Sequence, residues 1–206
     1  MKWLLSIAIA VGCGHEPAAP SLPLASSLRL TEGRAKPSGG RVTIAEPSTR
    51  GIVPASSGDE ATLDFTYAGP STEPAALASG ALRSQLGLKL RAQDSCNVIY
   101  VMWRIEPVSE IVVQVKRNAE ATTHAQCGNG GYAGVKPGHR SSPPALVPGS
   151  AHVLSASIAG DDLSVWADQA LVWRGTLPTD ARSLSGPAGF RTDNVRAELA
   201  LHARIL

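Results

Sequence analysis

Five stretches of this chain alternate apolar and polar side chains with a period of two, and that pattern limits the fold more than any other feature. Leu63, Phe65 and Tyr67 alternate with Thr62, Asp64 and Thr66. Leu86, Leu88 and Leu90 alternate with Gln85, Gly87, Lys89 and Arg91. Ile99, Val101, Trp103 and Ile105 alternate with Val98, Tyr100, Met102 and Arg104, and Ile111, Val113 and Val115 with Val112, Gln114 and Lys116. The last run, Val195 to Ile205, repeats the pattern. Successive side chains of a strand point to opposite faces, so each run reads as a strand with one face on a core. Val153 to Ile158, Leu163 to Ala167 and Ala170 to Arg174, separated by turns at Gly160-Asp161 and Asp168-Gln169, read as a meander. The single helical candidate is Glu73 to Leu82. The expected fold class is all-β, an antiparallel β-sandwich.

With 206 residues the chain is long enough for one domain with a core. Its 19 Lys and Arg against 17 Asp and Glu exclude a polybasic nucleic-acid binder and an acidic disordered chain. The 20 glycines and 15 prolines follow no collagen-like period.

The first residues read as an address. Lys2 gives one positive charge, Trp3 to Val11 is apolar apart from Ser6, and Gly12 and Cys13 follow, the layout of a secretory signal peptide over residues 1–12. The tetrad Ala10-Val11-Gly12-Cys13 resembles a bacterial lipobox, with Ala10 where that pattern usually has Leu. The resemblance implies a lipidated Cys13 anchored to a membrane. Gly14, in place of a retaining Asp, points to the outer rather than the inner membrane. With Cys13 so used, Cys96 and Cys127 remain as an even pair in an oxidising compartment. A disulfide is expected there, two buried thiols being the alternative. No CxxC or HxxxH spacing suggests a metal, and no cofactor fingerprint is present. Residues 13–58 are rich in Pro, Ser, Ala and Gly and read as a tether, in which Leu28-Arg29-Leu30 and Arg41-Val42-Thr43-Ile44 add an edge strand or nothing. Residues 59–206 form the expected sandwich domain.

The second half of the chain resembles concanavalin A-like jelly rolls, the laminin-G-like and 3-keto-disaccharide hydrolase-like domains. The residues that carry this are Gly149-Ser150-Ala151-His152-Val153-Leu154, then Gly160-Asp161-Asp162-Leu163-Ser164-Val165-Trp166-Ala167-Asp168, then Gly189-Phe190-Arg191-Thr192-Asp193-Asn194. Ala151 and Gln169 depart from the usual Trp and turn Gly. The resemblance implies two curved antiparallel sheets with ligands on a concave face or its rim loops, and it speaks for fold rather than function.

Catalytic signals are sparse. A glycosidase needs two carboxylates across a groove, and the Glu-x-Asp-x-x-Glu strand of retaining glucanases is missing. Asp161, Asp162, Asp168, Glu106 and Glu110 fall at expected turns. A Ser–His–Asp triad converges only in space, and no Gly-x-Ser-x-Gly elbow supports one. The informative feature is the polar side of three successive strands: Arg83, Gln85, Lys89 and Arg91, then Tyr100, Met102 and Arg104, then Gln114 and Lys116. Guanidinium and amide groups recognise carboxylate, sulfate and hydroxyl groups, and a tyrosine ring can underlie a sugar. The alternative is a solvated sheet face. Trp166 is a second aromatic candidate. Residues 118–150 form a Gly- and Pro-rich connection in which Asn129 and Tyr132, near the Cys96–Cys127 staple, are placed to line a binding rim. These features lead to a membrane-anchored envelope protein whose sandwich is a non-catalytic module, structural or for a glycan such as an anionic polysaccharide or lipopolysaccharide sugar. A carbohydrate-active hydrolase and a protein–protein adaptor are the alternatives.

Overall fold

The structure, a computed structural model, describes residues 27–106 and 108–206. The expected signal peptide, Cys13 and the first part of the tether lie outside the described residues. Four short strands come first: β1 (Arg29–Glu32), β2 (Lys36–Ser38), β3 (Arg41–Ile44) and β4 (Ser48–Ile52). Then come β5 (Ser56–Pro70), β6 (Gln85–Leu90), β7 (Val98–Arg104) and β8 (Glu110–Lys116). A one-turn helix, α1 (His124–Cys127), precedes β9 (Tyr132–Gly134) and β10 (His139–Arg140). The meander is β11 (Ala151–Ala159), β12 (Asp162–Ala167) and β13 (Ala170–Thr176), and β14 (Gly189–Asp193) and β15 (Val195–Ile205) end the chain.

These strands build two antiparallel sheets. The seven-stranded sheet runs β1-β4-β14-β6-β7-β8-β9, and the eight-stranded sheet runs β10-β13-β12-β11-β5-β15-β3-β2. The core lies between them, because the apolar series of each strand points inward. Leu63, Phe65 and Tyr67 of β5, Leu86, Leu88 and Leu90 of β6, and Val101 and Trp103 of β7 share one cluster with Leu163, Val165, Leu199 and Leu201. Phe65 meets Trp103 edge-on at 5.8 Å between ring centres. Each such large side chain contributes roughly 1.5–3 kcal/mol by leaving water.

Two expectations need correction. The sandwich begins at Arg29, not at residue 59, since β1 and β4 join one sheet and β2 and β3 the other. Val42 and Ile44 are buried, and Pro37 sits in β2, an edge strand, where a missing amide donor is tolerated. Short strands joined by turns at Gly33, Gly39 and Gly40, all with positive φ, have the composition of a spacer while pairing as a sheet. Glu73 to Leu82 is not helical. Asn194, itself at φ 54 between β14 and β15, holds that segment as a loop. Its side chain accepts from the Ala75 amide at 2.8 Å and donates to the carbonyls of Ala75 at 2.8 Å and Arg83 at 3.0 Å.

Candidate functional site

The outer face of the seven-stranded sheet is a cleft of about 840 Å³. Its floor is built by β4, β14, β6, β7 and β8, and its walls by Ala75–Ser79, by the 92–95 turn and by the loop carrying His124, Asn129 and Tyr132. Six cationic side chains line it against the acidic Glu32 and Asp94.

Register explains the floor. Lys89 stands opposite Tyr100, which stands opposite Gln114. Two residues along, Arg191 stands between Arg50 and Gly87, and next Asp193 stands between Ser48 and Gln85. Gly87 has no side chain where a Cβ would meet the Val101 carbonyl, so the Arg191 guanidinium reaches over β6 and stacks on Tyr100, 5.0 Å from its ring centre. Tyr100 in turn stacks on Tyr132 at 6.0 Å and 22°.

One buried carboxylate organises these charges. Asp193 has no exposed side-chain surface, and its Oδ2 accepts from Gln85 Nε2 at 2.6 Å and Arg191 Nε at 2.8 Å. Its Oδ1 has no hydrogen-bond partner among the described residues and lies 3.9 Å from Arg50 Nη2. Arg50 also pairs with Glu32, which accepts from Ser48 Oγ at 2.6 Å. Burial opposes the charge of Arg191, but Asp193 beside it more than compensates and holds its pKa above the usual guanidinium value. Burial, then the Arg191 charge, lowers that of Arg50. Burial pushes the Tyr100 hydroxyl up to about 12.

The two floor lysines differ. Lys116, 1% exposed, donates to Ser95 O at 3.1 Å, Gly128 O at 2.8 Å and Cys127 Sγ at 3.2 Å, and lies 5.1 Å from the Tyr132 ring centre. It thereby fastens the rim loop, with the Cys96–Cys127 disulfide, to the sheet. Burial, then Arg50 and Arg191, lowers its pKa. Lys89, 5% exposed, has no such acceptors among the described residues, and burial with the same two arginines lowers it to about 8.

Of the ten candidate side chains, Arg83, Gln85, Lys89, Tyr100, Met102, Gln114 and Lys116 line the cleft, as do Asn129 and Tyr132. Three do not. Arg91, at φ 44 just past the end of β6, pairs with Asp59 at 2.6 Å. Arg104 is bound to Glu110 at 2.8 Å beyond the end of the cleft. Trp166 lies half-buried on β12, in the other sheet. Sequence reasoning missed Arg50, Arg191, Asp193 and Glu32. Arg50 and Glu32 stood in the segment read as tether. Arg191 and Asp193 were absorbed into a turn motif, although their i, i+2 spacing puts both on one face of a strand.

A Ser–His–Asp chain does form elsewhere. Ser150 Oγ lies 2.8 Å from His152 Nε2, and His152 Nδ1 donates to Asp168 Oδ2 at 2.7 Å. Ser150 Oγ also donates to Val147 O at 2.5 Å, and Asp168 Oδ1 accepts from Val153 N at 2.8 Å. The His152 ring packs on Phe65 and Trp103. None of the three lines the cleft. The arrangement clamps the start of β11 to the 168–169 turn.

No family model and no curated protein matches this sequence. Solved structures do match in fold. The carbohydrate binding module CBM66 from Bacillus subtilis aligns with a TM-score of 0.58 at 12% identity, covering 86% of this chain and 96% of that one. A protein of unknown function with a galectin-like fold, also from Bacillus subtilis, aligns with a TM-score of 0.53 at 12% identity, covering 89% and 94%. With its two antiparallel sheets, the chain is a jelly-roll β-sandwich, similar in fold to that carbohydrate binding module and to that galectin-like domain.

Proposed function

We propose that this protein binds glycans in the cleft on its seven-stranded sheet, with a preference for anionic sugars, and that a lipid on Cys13 tethers it to the bacterial envelope, at the outer rather than the inner membrane. The observation that carries the reading is the character of the cleft floor. It is cationic and bears amides and stacked tyrosines, in a cleft of about 840 Å³. Arginine and amide groups suit sugar carboxylates and hydroxyls, and Tyr132, 36% exposed, offers a ring to an apolar sugar face. A fold shared with a carbohydrate binding module supports it. A binding role is favoured over hydrolysis because the carboxylates at the cleft are already engaged: Asp193 by Gln85 and Arg191, Glu32 by Arg50 and Ser48, and Asp94 by Asn97 and the Cys96 amide. None stands free to deliver a proton to a leaving group.

Calorimetric titration of the full chain with acidic and neutral polysaccharides tests the reading. The expected result is binding to acidic chains that weakens several-fold from low to moderate salt and is lost in Arg191→Ala. Heat with no polymer would overturn it. For the tether, Cys13→Ser is expected to move the protein from the membrane fraction to the soluble one, and an unchanged distribution would count against the lipid.

A further inference from the structure

The floor cations differ in what neutralises them. Arg191 has Asp193, Arg50 has Glu32, and Lys116 has two carbonyls and a sulfur. Lys89 stands next to the last residue of the central strand β6, is 95% buried and lines the cleft, and its ammonium finds neither a carboxylate nor a hydrogen-bond acceptor among the described residues. A buried charge without a partner is costly, so such a group either gives up its proton or awaits a counter-ion.

We propose that Lys89 anchors a subsite for an anionic sugar unit, a uronate or a sulfate ester, whose charged group sits on the Lys89 ammonium while its ring lies toward Tyr132. This rests on the reading of the cleft as a glycan site and names what that site selects. Arg191 and Arg50 are matched by Asp193 and Glu32, and the Lys116 ammonium is taken up by two carbonyls and a sulfur, so Lys89 is the floor cation whose ammonium is open to a ligand's anionic group. Gln85, Gln114 and Asn129 also line the cleft and suit the hydroxyls of the same sugar.

The groups facing Lys89 give the proposal a second readout. They are Arg191 and Asp193 from β14, Arg50 from β4, Tyr100 from β7 and Lys116 from β8, with Glu32 of β1 behind Arg50. Burial and the two guanidiniums leave Lys89 only partly protonated at pH 8. An anion on the ammonium restores the proton, so binding takes up a fraction of a proton per site.

The test is calorimetry of the full chain at pH 8 in two buffers of different ionisation enthalpy. The probes are polygalacturonate, its methyl ester, which keeps the backbone and loses the charge, and a sulfated galactan. The expected result is at least tenfold weaker binding of the ester, net proton uptake with the acidic polymers, and loss of both in Lys89→Met, with a melting curve showing that variant folded. Preference between polygalacturonate and the galactan identifies the anionic group. Ester and acid binding alike, or Lys89→Met binding the acid as the parent does, would overturn the subsite and leave the glycan reading standing. Binding to no polymer would overturn the glycan reading itself.

Discussion

The two outer faces of this sandwich differ sharply, although the strands beneath them follow the same period. On the eight-stranded sheet, β11 and β12 alternate buried with partly or fully exposed residues, and short polar pairs such as Thr62 with Ser155 at 3.0 Å cover the outside. That is the solvated face an antiparallel sheet ordinarily shows. On the seven-stranded sheet, β6 and β14 are buried at every position and β7 at all but its last. Among the described residues no second layer of helix or sheet covers that outer face. Its burial comes from long charged side chains lying over one another, from a small apolar cluster of Ile52, Ala92, Val98, Tyr100 and Met102, and from the loops around it. Burying cations that way is unfavourable unless they are paired, so a face so built is specialised rather than a by-product of folding.

Breaking the charge network should separate the faces most clearly. Asp193→Ala removes the carboxylate shared by Arg191 and Gln85 and leaves buried cations unmatched, with an expected loss of about 3–5 kcal/mol in denaturant unfolding. Opening the Cys96–Cys127 bridge, which closes a separation of 31 residues, should cost roughly 3–4 kcal/mol by loop entropy. It should also free the rim bearing Asn129 and Tyr132, so reductant should weaken glycan binding as well as lower the melting temperature.

Lys89 sharpens the comparison through pH. Its folded pKa is lowered to about 8 from an ordinary 10.5. Between those values the unfolded chain holds a proton that the folded chain lacks. Stability should therefore rise with pH from about 8 to about 10.5. Lys89→Met should abolish that rise and add on the order of 1–3 kcal/mol at pH 7, as read by denaturation at a series of pH values.

Smaller effects belong to the other sheet. Asp168 and Gln169 form the β12–β13 turn with φ of 49 and 70. Gln169→Gly removes a side chain from a left-handed position and should stabilise by about 0.5–1 kcal/mol. Thr62→Ala on the outer face of β5 should change stability by no more than about 0.5 kcal/mol. A large loss there would erase the distinction between the faces.

The same contrast explains what could be read in advance. Strands β5, β6, β7, β8 and β15 and the meander were legible because burial of one face imprints a period of two. Adjacency of β6, β7 and β8 followed from their order in the chain, and with it the shared face of Gln85, Lys89, Tyr100, Gln114 and Lys116. β2 and β4 were not legible, and β1 and β3 only as short runs that add an edge strand or nothing, because strands of three to five residues between glycine turns leave too few alternations. Their loss hid Arg50 and Glu32. Arg191 and Asp193 were hidden differently: β14 reaches β4 and β6 only by long-range pairing, which no local pattern encodes.

The most direct test of the account is hydrogen exchange of the full chain with and without polygalacturonate. The account expects added protection in β6, β7 and β14, in residues 75–79 and in residues 124–132, with the amides of β11 to β13 unchanged. Protection confined to β11–β13, or none anywhere at saturating polymer, would contradict it.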